Sequence, residues 1–311
     1  MLGLPTQKPD AALFIEKKGV NAMKTSAPIF IIGIGRTGST VLHNTLCRHP
    51  NTFWLSDHLA NKYPQKPAIS RFLMHAIDWP GIGPQIIRKY GPGEIYGFWE
   101  YYFRGFRQPC RDLVEDDVTV NVKKNLNRVK SELSTRKRNR MLIKITGWPR
   151  IRFLHEVFDD AFFVHILRDG RAVVNSMLNV SFWRGWMGPS RWRWGQLNQA
   201  QMKEWAMYDH SFVALAAIQW KIFIDAMRAA ADRIPKGQLL EVKYEDLCAD
   251  PRQTLEDITG FCGLGWAKEL DKQLAKTTFK NTNLKWQKDM TGRQKTIMNE
   301  ILKDYLLLYN Y

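Results

Sequence analysis

Short apolar runs separated by longer amphipathic stretches set the rhythm of this chain. Residues Ile29–Ile34, Met141–Ile145, Ala161–Leu167 and Leu239–Val242 are rich in β-branched, aromatic and aliphatic side chains and nearly free of charge. Runs of that length and composition fit strands buried on both faces of a parallel sheet. Between them the period changes. Val118, Val122, Leu126, Val129 and Leu133 recur every three or four residues, which predicts a helix with one apolar stripe and a basic far side. Thr254, Ile258 and Phe261 mark another helix, opened by Asp250-Pro251, a good start signal. The most apolar stretch, Phe212–Met227, is interrupted by Gln219, Lys221 and Asp225 and reads as an amphipathic core helix rather than a membrane span. Strands alternating with helices imply βαβ units. The expectation is an α/β fold, with a P-loop-type central parallel sheet flanked by helices on both faces.

Two segments fit this scheme poorly. Residues 79–109 are dense in Gly, Pro and aromatic side chains, and residues 181–195 hold four tryptophans and three arginines. Long irregular stretches inside an α/β domain are commonly lids or binding segments. Both are therefore expected to be helical or aromatic loop insertions that form a lid over an acceptor pocket, the alternative being a packed surface cap. No repeat or linker interrupts the rest. Residues 26–311 read as one domain behind a polar lead-in of residues 1–25.

Composition narrows the picture modestly. Apolar residues make up 45% of the 311, charged residues 24%, and Lys+Arg exceed Asp+Glu by 46 to 30, a formal charge of +16. Such an excess draws anionic ligands without saying which. The four cysteines are widely spaced and form no metal-binding or redox pair. A reduced, cytoplasmic setting follows as the expectation, with no integral membrane association and no metal.

Candidate chemistry begins where the first apolar run ends. Ile29-Phe-Ile-Ile-Gly-Ile-Gly-Arg-Thr-Gly-Ser-Thr40 is a strand leading into a glycine-rich turn and a helix over 38–48. Backbone amides in such a turn, with the helix dipole behind them, form an anion site. In a Walker A motif Ser39 would have to be lysine, and here the cation is instead Arg36. The turn is thus equipped to hold an anion but not for γ-phosphate transfer. A second block, Phe163-Val-His-Ile-Leu-Arg-Asp-Gly-Arg-Ala-Val-Val-Asn-Ser176, delivers Arg168 to the strand's C-terminal edge, where open α/β sheets bind ligands, and puts Ser176 about two turns into the next helix. An arginine fork and a hydroxyl can share a phosphate. Lys144 lies in Leu142-Ile-Lys-Ile-Thr-Gly-Trp-Pro149, near the same edge. A fourth block is Leu240-Glu-Val-Lys-Tyr-Glu-Asp-Leu247.

In that order the four blocks resemble the sulfotransferase superfamily that uses 3′-phosphoadenosine 5′-phosphosulfate (PAPS). The first is similar to the family's 5′-phosphosulfate loop, with Arg36 at the loop's cation. The second resembles the 3′-phosphate motif, with Arg168 and Ser176 at its arginine and serine. Tyr-Glu-Asp-Leu and a late Asn-Leu-Lys-Trp (283–286) also stand in family order. The resemblance implies that Arg36 and the amides of Thr37, Gly38, Ser39 and Thr40 hold the 5′-phosphosulfate. It places Tyr244 near adenine, gives Lys285 a supporting contact to the 3′-phosphate, and points Lys144 at the sulfonyl group. PAPS would be the co-substrate and 3′,5′-ADP (PAP) the product, without a metal.

The catalytic histidine of the phenol and steroid enzymes has no counterpart, because Thr146-Gly147 occupies its place. Carbohydrate and tyrosyl-protein members use a carboxylate soon after the phosphate-loop helix. Asp57 falls at that position, with His58 beside it and Glu100 a more distant candidate base. The acceptor implied is a small molecule, a glycan or a lipid head. Two other classes fit less well. A P-loop kinase or NTPase needs the missing lysine, and the strand at 161–167 runs into Arg168 rather than directly into a metal-binding aspartate. Nucleic-acid binding would draw on segment 181–195 and on Arg136-Lys-Arg-Asn-Arg140, but neither feature accounts for the ordered anion motifs.

Overall fold

The structure, a computed structural model, describes residues 27–107, 111–189 and 196–311. The expected lead-in 1–25 and positions 190–195 of the Trp/Arg segment lie outside the described residues. Five strands, β1 (Ile29–Gly33), β2 (Thr52–Phe53), β3 (Arg140–Thr146), β4 (Phe162–Leu167) and β5 (Leu239–Lys243), form one parallel sheet in the order β2-β3-β1-β4-β5. Successive residues of a strand point to opposite faces, yet Phe30, Ile31 and Ile32 are all fully buried. Both faces of β1 are therefore covered, as an all-parallel sheet requires.

Fifteen helices are described. The first half carries α1 (Ser39–Leu46), α2 (Asp57–Lys62), α3 (Pro67–Ala76), α4 (Gly83–Lys89), α5 (Tyr96–Tyr102), α6 (Val120–Leu133) and α7 (Ile151–Val157). The second half carries α8 (Gly170–Leu178), α9 (Gln199–Met207), α10 (Phe212–Ala231), α11 (Tyr244–Ala249), α12 (Pro251–Phe261), α13 (Lys268–Leu274), α14 (Trp286–Asp289) and α15 (Gly292–Leu308). Local chemistry sets several starts. The Thr119, Ser211 and Asp250 side chains cap α6, α10 and α12, and Thr291 with Gln294 makes a reciprocal capping box on α15. The stripe Leu126, Val129 and Leu133 is buried, as its spacing predicts.

Strand β2 has only two residues and was not legible as an apolar run. The larger correction concerns residues 79–109. Much of this stretch is helical, in α4 and α5, and Phe98, Trp99 and Phe106 are core, whereas Trp79 and Tyr101 are exposed. Trp99 stacks on Phe106 with ring centroids 4.9 Å apart, and Phe98 packs edge-on against Trp99. Aromatic density there fills the space beside β1 rather than lining a loop.

The chain leaves β1 toward the β3–β2 side and returns from β3 to β4 on the other side of β1. The C-terminal end of β1 is thus a topological switch point, where open α/β sheets bind ligands.

Candidate active site

The turn after β1 needs two unusual backbone conformations. Arg36 has φ +77° and Gly38 φ +86°. At Gly38 glycine is also required by space, since a Cβ there would stand 2.3 Å from the Tyr244 ring. The Thr37 hydroxyl is spent inside the turn, donating to the Ile34 carbonyl at 3.0 Å. What the turn presents is therefore the amides at the start of α1, the Thr40 hydroxyl and the Arg36 side chain.

The second motif meets this turn directly. Arg36 Nε donates to Ser176 Oγ at 2.8 Å, and Arg168 Nη1 donates to the Arg36 carbonyl at 2.8 Å. Arg168 also donates to Asn283 Oδ1 (2.8 Å) and Thr282 Oγ1 (2.9 Å), and its guanidinium lies 4.5 Å from the Tyr244 ring centroid. Burial draws its pKa down from the ordinary arginine value. Tyr244 packs against both Gly38 and Arg168 while its hydroxyl donates to the Lys280 carbonyl at 2.6 Å. Burial, with Cys248 adding to it, pushes the phenol up to about 12, so Tyr244 stays neutral. The neighbouring Glu245 accepts from the Asp169 amide at 3.1 Å, from the Asn283 amide group and from the Tyr311 hydroxyl at 2.9 Å. The Tyr-Glu-Asp-Leu block thus holds the glycine turn, β4 and the 280s segment together.

The 280s segment reaches Arg168 through Thr282 and Asn283. Lys285 is exposed and lies 3.5 Å from the Asp289 carboxylate instead. Position in the Asn-Leu-Lys-Trp block could have flagged Asn283, because a buried amide is normally satisfied by a specific partner.

On the other side of β1, Lys144 is buried in β3, paired in register with Ile31. Its Nζ donates to Thr40 Oγ1 at 2.9 Å and lies 3.2 Å from Glu94 Oε1. Glu94 also accepts from the Thr146 hydroxyl at 2.9 Å, and Tyr96 donates to the Thr146 carbonyl at 2.6 Å. Beneath them His43 is buried with Nε2 3.4 Å from the Leu142 carbonyl. Burial, reinforced by Lys144, holds its pKa down at about 3, so the ring is neutral.

Glu94 escaped the sequence reading because it stands between α4 and α5, outside any motif. Its place is secured through Asn61, whose Nδ2 donates to both the Asp57 carboxylate (2.6 Å) and the Glu94 carbonyl (3.0 Å). Asn61 Oδ1 in turn accepts from the Gly97 amide at 2.7 Å. Asp57, at the start of α2, is exposed and packs against Gly93. Asn61 thus ties the Asp57 carboxylate to the backbone of Glu94. His58 is exposed with its ring 6.4 Å from that of Tyr90. Glu100 corrects the earlier expectation: its two oxygens accept from the Gly105 and Arg107 amides at 2.9 and 2.7 Å, so it caps a turn.

A cavity of about 750 Å³ lies apart from these groups, where the end of α8 faces the starts of α10 and α15. None of Arg36, Lys144 or Arg168 lines it. Among the described residues no cluster of three metal-ligating side chains occurs, and no helix is long and apolar enough to cross a membrane.

Strand, glycine turn, Arg168 with Ser176, and the sheet order define a P-loop-type α/β transferase fold. The chain matches the Sulfotransferase family over residues 28–268 and belongs to that family. Among curated relatives, the omega-hydroxy-beta-dihydromenaquinone-9 sulfotransferase Stf3 of Mycobacterium bovis is 23% identical over 318 residues, covering 91% of this chain and 75% of that protein. Among solved structures, sulfotransferase STF9 from Mycobacterium avium superposes with a TM-score of 0.53 at 17% identity, covering 92% of this chain and 77% of that one. STF1 from Mycobacterium tuberculosis H37Rv covers 89% and 76% at 17% identity, with a TM-score of 0.47. At 17% identity the STF9 superposition speaks for the fold alone.

Proposed function

We propose that this protein transfers the sulfonate group of PAPS to a hydroxyl of an apolar, lipid-like acceptor. The observation that carries the PAPS reading is the joining of two anion motifs, 132 and 140 residues apart, by the Arg168–Arg36 and Arg36–Ser176 hydrogen bonds. A nucleotide with phosphate at one end and phosphosulfate at the other needs two anion sites held at a fixed spacing. The loop amides and Arg36 serve the 5′ end; Arg168 and Ser176 serve the 3′-phosphate. The glycine cradle fits this role, because any side chain at Gly38 would collide with Tyr244. PAPS supplies an activated sulfonate and a stable leaving anion.

The protein's groups would then do four things. Thr40 and the amides of residues 37–40 orient the 5′ end. Lys144, with Arg36, stabilises negative charge developing on the bridging oxygen. Asp57 takes the acceptor's hydroxyl proton: its polar side-chain partner is the neutral Asn61, which leaves the carboxylate free to act as base. Glu94 faces Lys144 and orients it, balancing its charge before the anionic nucleotide arrives. Sulfonate carries less charge than a phosphoryl group, so cationic side chains and amides can meet the need without a metal.

The acceptor reading rests on the relative Stf3, whose name specifies a hydroxylated menaquinone derivative. A hydroxyl at the end of a long apolar chain is the class assigned to this site.

Calorimetric titration with PAP, and separately with ATP and magnesium, tests the reading. Micromolar PAP affinity without metal, lost in Arg168→Ala, supports it. Metal-dependent ATP binding with no PAP binding overturns it.

A further inference from the structure

Between the Asp57 carboxylate and Glu94 the chain makes an excursion through α2, α3 and α4 that carries large exposed apolar side chains. Phe72, Trp79 and Ile82 are 62, 48 and 49% exposed. Phe72 and Trp79 touch edge to face, with ring centroids 5.9 Å apart, so they form one apolar prominence rather than scattered side chains. Arg71, Phe72 and His75 on α3 are all exposed, on the side opposite buried Leu73 and Met74. Large aromatic side chains held in water at a helix end mark an interaction surface.

The charge along this excursion is nearly all of one sign. Lys62, Lys66, Arg71, Arg88 and Lys89 are all exposed, and none reaches a carboxylate among the described residues. Lys62 and Lys89 instead stand over the rings of Tyr63 and Tyr90, at 5.4 and 5.2 Å. The single acidic residue between His58 and Gly93 is Asp78, and it is consumed by Arg138 and Lys137 at 2.7 and 3.1 Å. Exposed tryptophan and phenylalanine in a segment whose cations pair with no carboxylate are the composition of a surface that rests in the headgroup layer of an anionic membrane. A folded protein partner would more commonly supply carboxylates to a mixed-charge rim.

We infer that the α2–α4 face is a peripheral docking surface for an anionic lipid bilayer. The segment then carries the bilayer's position into the reaction centre. Five residues after Lys89 comes Glu94, and the connection between them is pinned to the start of α2 by the Ser56–Pro92 bridge and the Asp57 amide bond to the Gly91 carbonyl. The proposed docking face and the Asp57 and Glu94 carboxylates thus belong to one continuous stretch of chain. This inference goes beyond the sulfonate-transfer reading and can fail separately from it.

The test is cosedimentation of the full chain with vesicles of phosphatidylcholine alone and of phosphatidylcholine mixed equally with phosphatidylglycerol. Binding is expected only to the mixed vesicles. The variant K62Q/R71Q/K89Q should weaken it on the order of a hundredfold, and F72S/W79S/I82S by at least about tenfold. K268Q/K272Q/K276Q, which removes the same charge from exposed positions on and just after α13, should leave it nearly unchanged. PAP affinity of each variant, measured calorimetrically, should match the parent and reports an intact fold. Equal loss in the α13 variant reduces the effect to net charge and overturns the inference, as does full vesicle binding by F72S/W79S/I82S. Vesicle binding kept by K62Q/R71Q/K89Q while duplex DNA binding is lost assigns the face to nucleic acid and also overturns it.

Discussion

The Glu94 carboxylate lies 3.2 Å from the Lys144 ammonium, although Glu94 sits in a connection between helices and Lys144 in the centre of the sheet. Lys144 therefore has two partners, Glu94 and the Thr40 hydroxyl, and the first must compete with any anion that approaches the second. Removing the Glu94 charge should strengthen PAP binding several-fold, because one negative charge beside the anion site disappears. Turnover in Glu94→Gln should fall by about tenfold, from loss of Lys144 orientation. Calorimetry and a sulfonate-transfer assay on one preparation read both effects. Weaker PAP binding in this variant would contradict the competition.

Asp57→Asn should behave differently. The amide retains the contact with Asn61 but takes no proton, so kcat should drop by roughly a hundredfold or more with PAP affinity unchanged. If Glu94→Gln shows that pattern and Asp57→Asn does not, the two carboxylates exchange roles.

Arg168 is a fork whose three nitrogens each donate to a protein oxygen. Arg168→Ala should abolish measurable PAP binding and destabilise the fold by about 1–3 kcal/mol, since the buried Asn283 amide oxygen loses its donor. Arg168→Lys should restore stability better than affinity, because an ammonium cannot reproduce the planar fork. Thermal unfolding beside PAP titration separates the two.

At Gly38 the backbone and its neighbour both oppose a side chain. Gly38→Ala should lose PAP binding and at least about 1 kcal/mol of stability. Adding Tyr244→Ala removes the collision but not the positive φ, so the double variant should recover part of the stability and none of the affinity. Additive losses in a double-mutant cycle would contradict the contact.

Asp112 offers a pH signature remote from catalysis. Burial raises its carboxyl to about 6, against lowering by the Arg150 and Leu113 amides that donate to it at 2.8 and 3.0 Å. A carboxyl raised on folding contributes stability that is complete below its unfolded value near 4 and is lost as pH rises through about 6. The drop over that window should be on the order of 2–3 kcal/mol at most. Asp112→Asn, which still accepts from both amides, should flatten this part of the denaturation profile. An unchanged slope between about pH 4 and 6 would exclude the assignment.

Much of the architecture was legible in the residues. Four buried strands announce themselves as apolar runs because a parallel sheet covered on both faces tolerates little else. The glycine turn, Arg168 and Ser176 were legible because each stands in a short contiguous block whose residue types and spacing can be read along the chain. The two-residue β2 carries too few positions to show a period, and the aromatics of 79–109 give the same composition whether they line a loop or fill a core. The sequence by itself determined the strands, the order of the anion motifs and the charge that draws an anion in. Tertiary structure alone decided that Arg36 meets Ser176, that Asn283 meets Arg168, and that Glu94 faces Lys144. Those pairings depend on how strands are ordered and helices packed, and contacts between residues 50 to 140 positions apart leave no periodic trace along the chain.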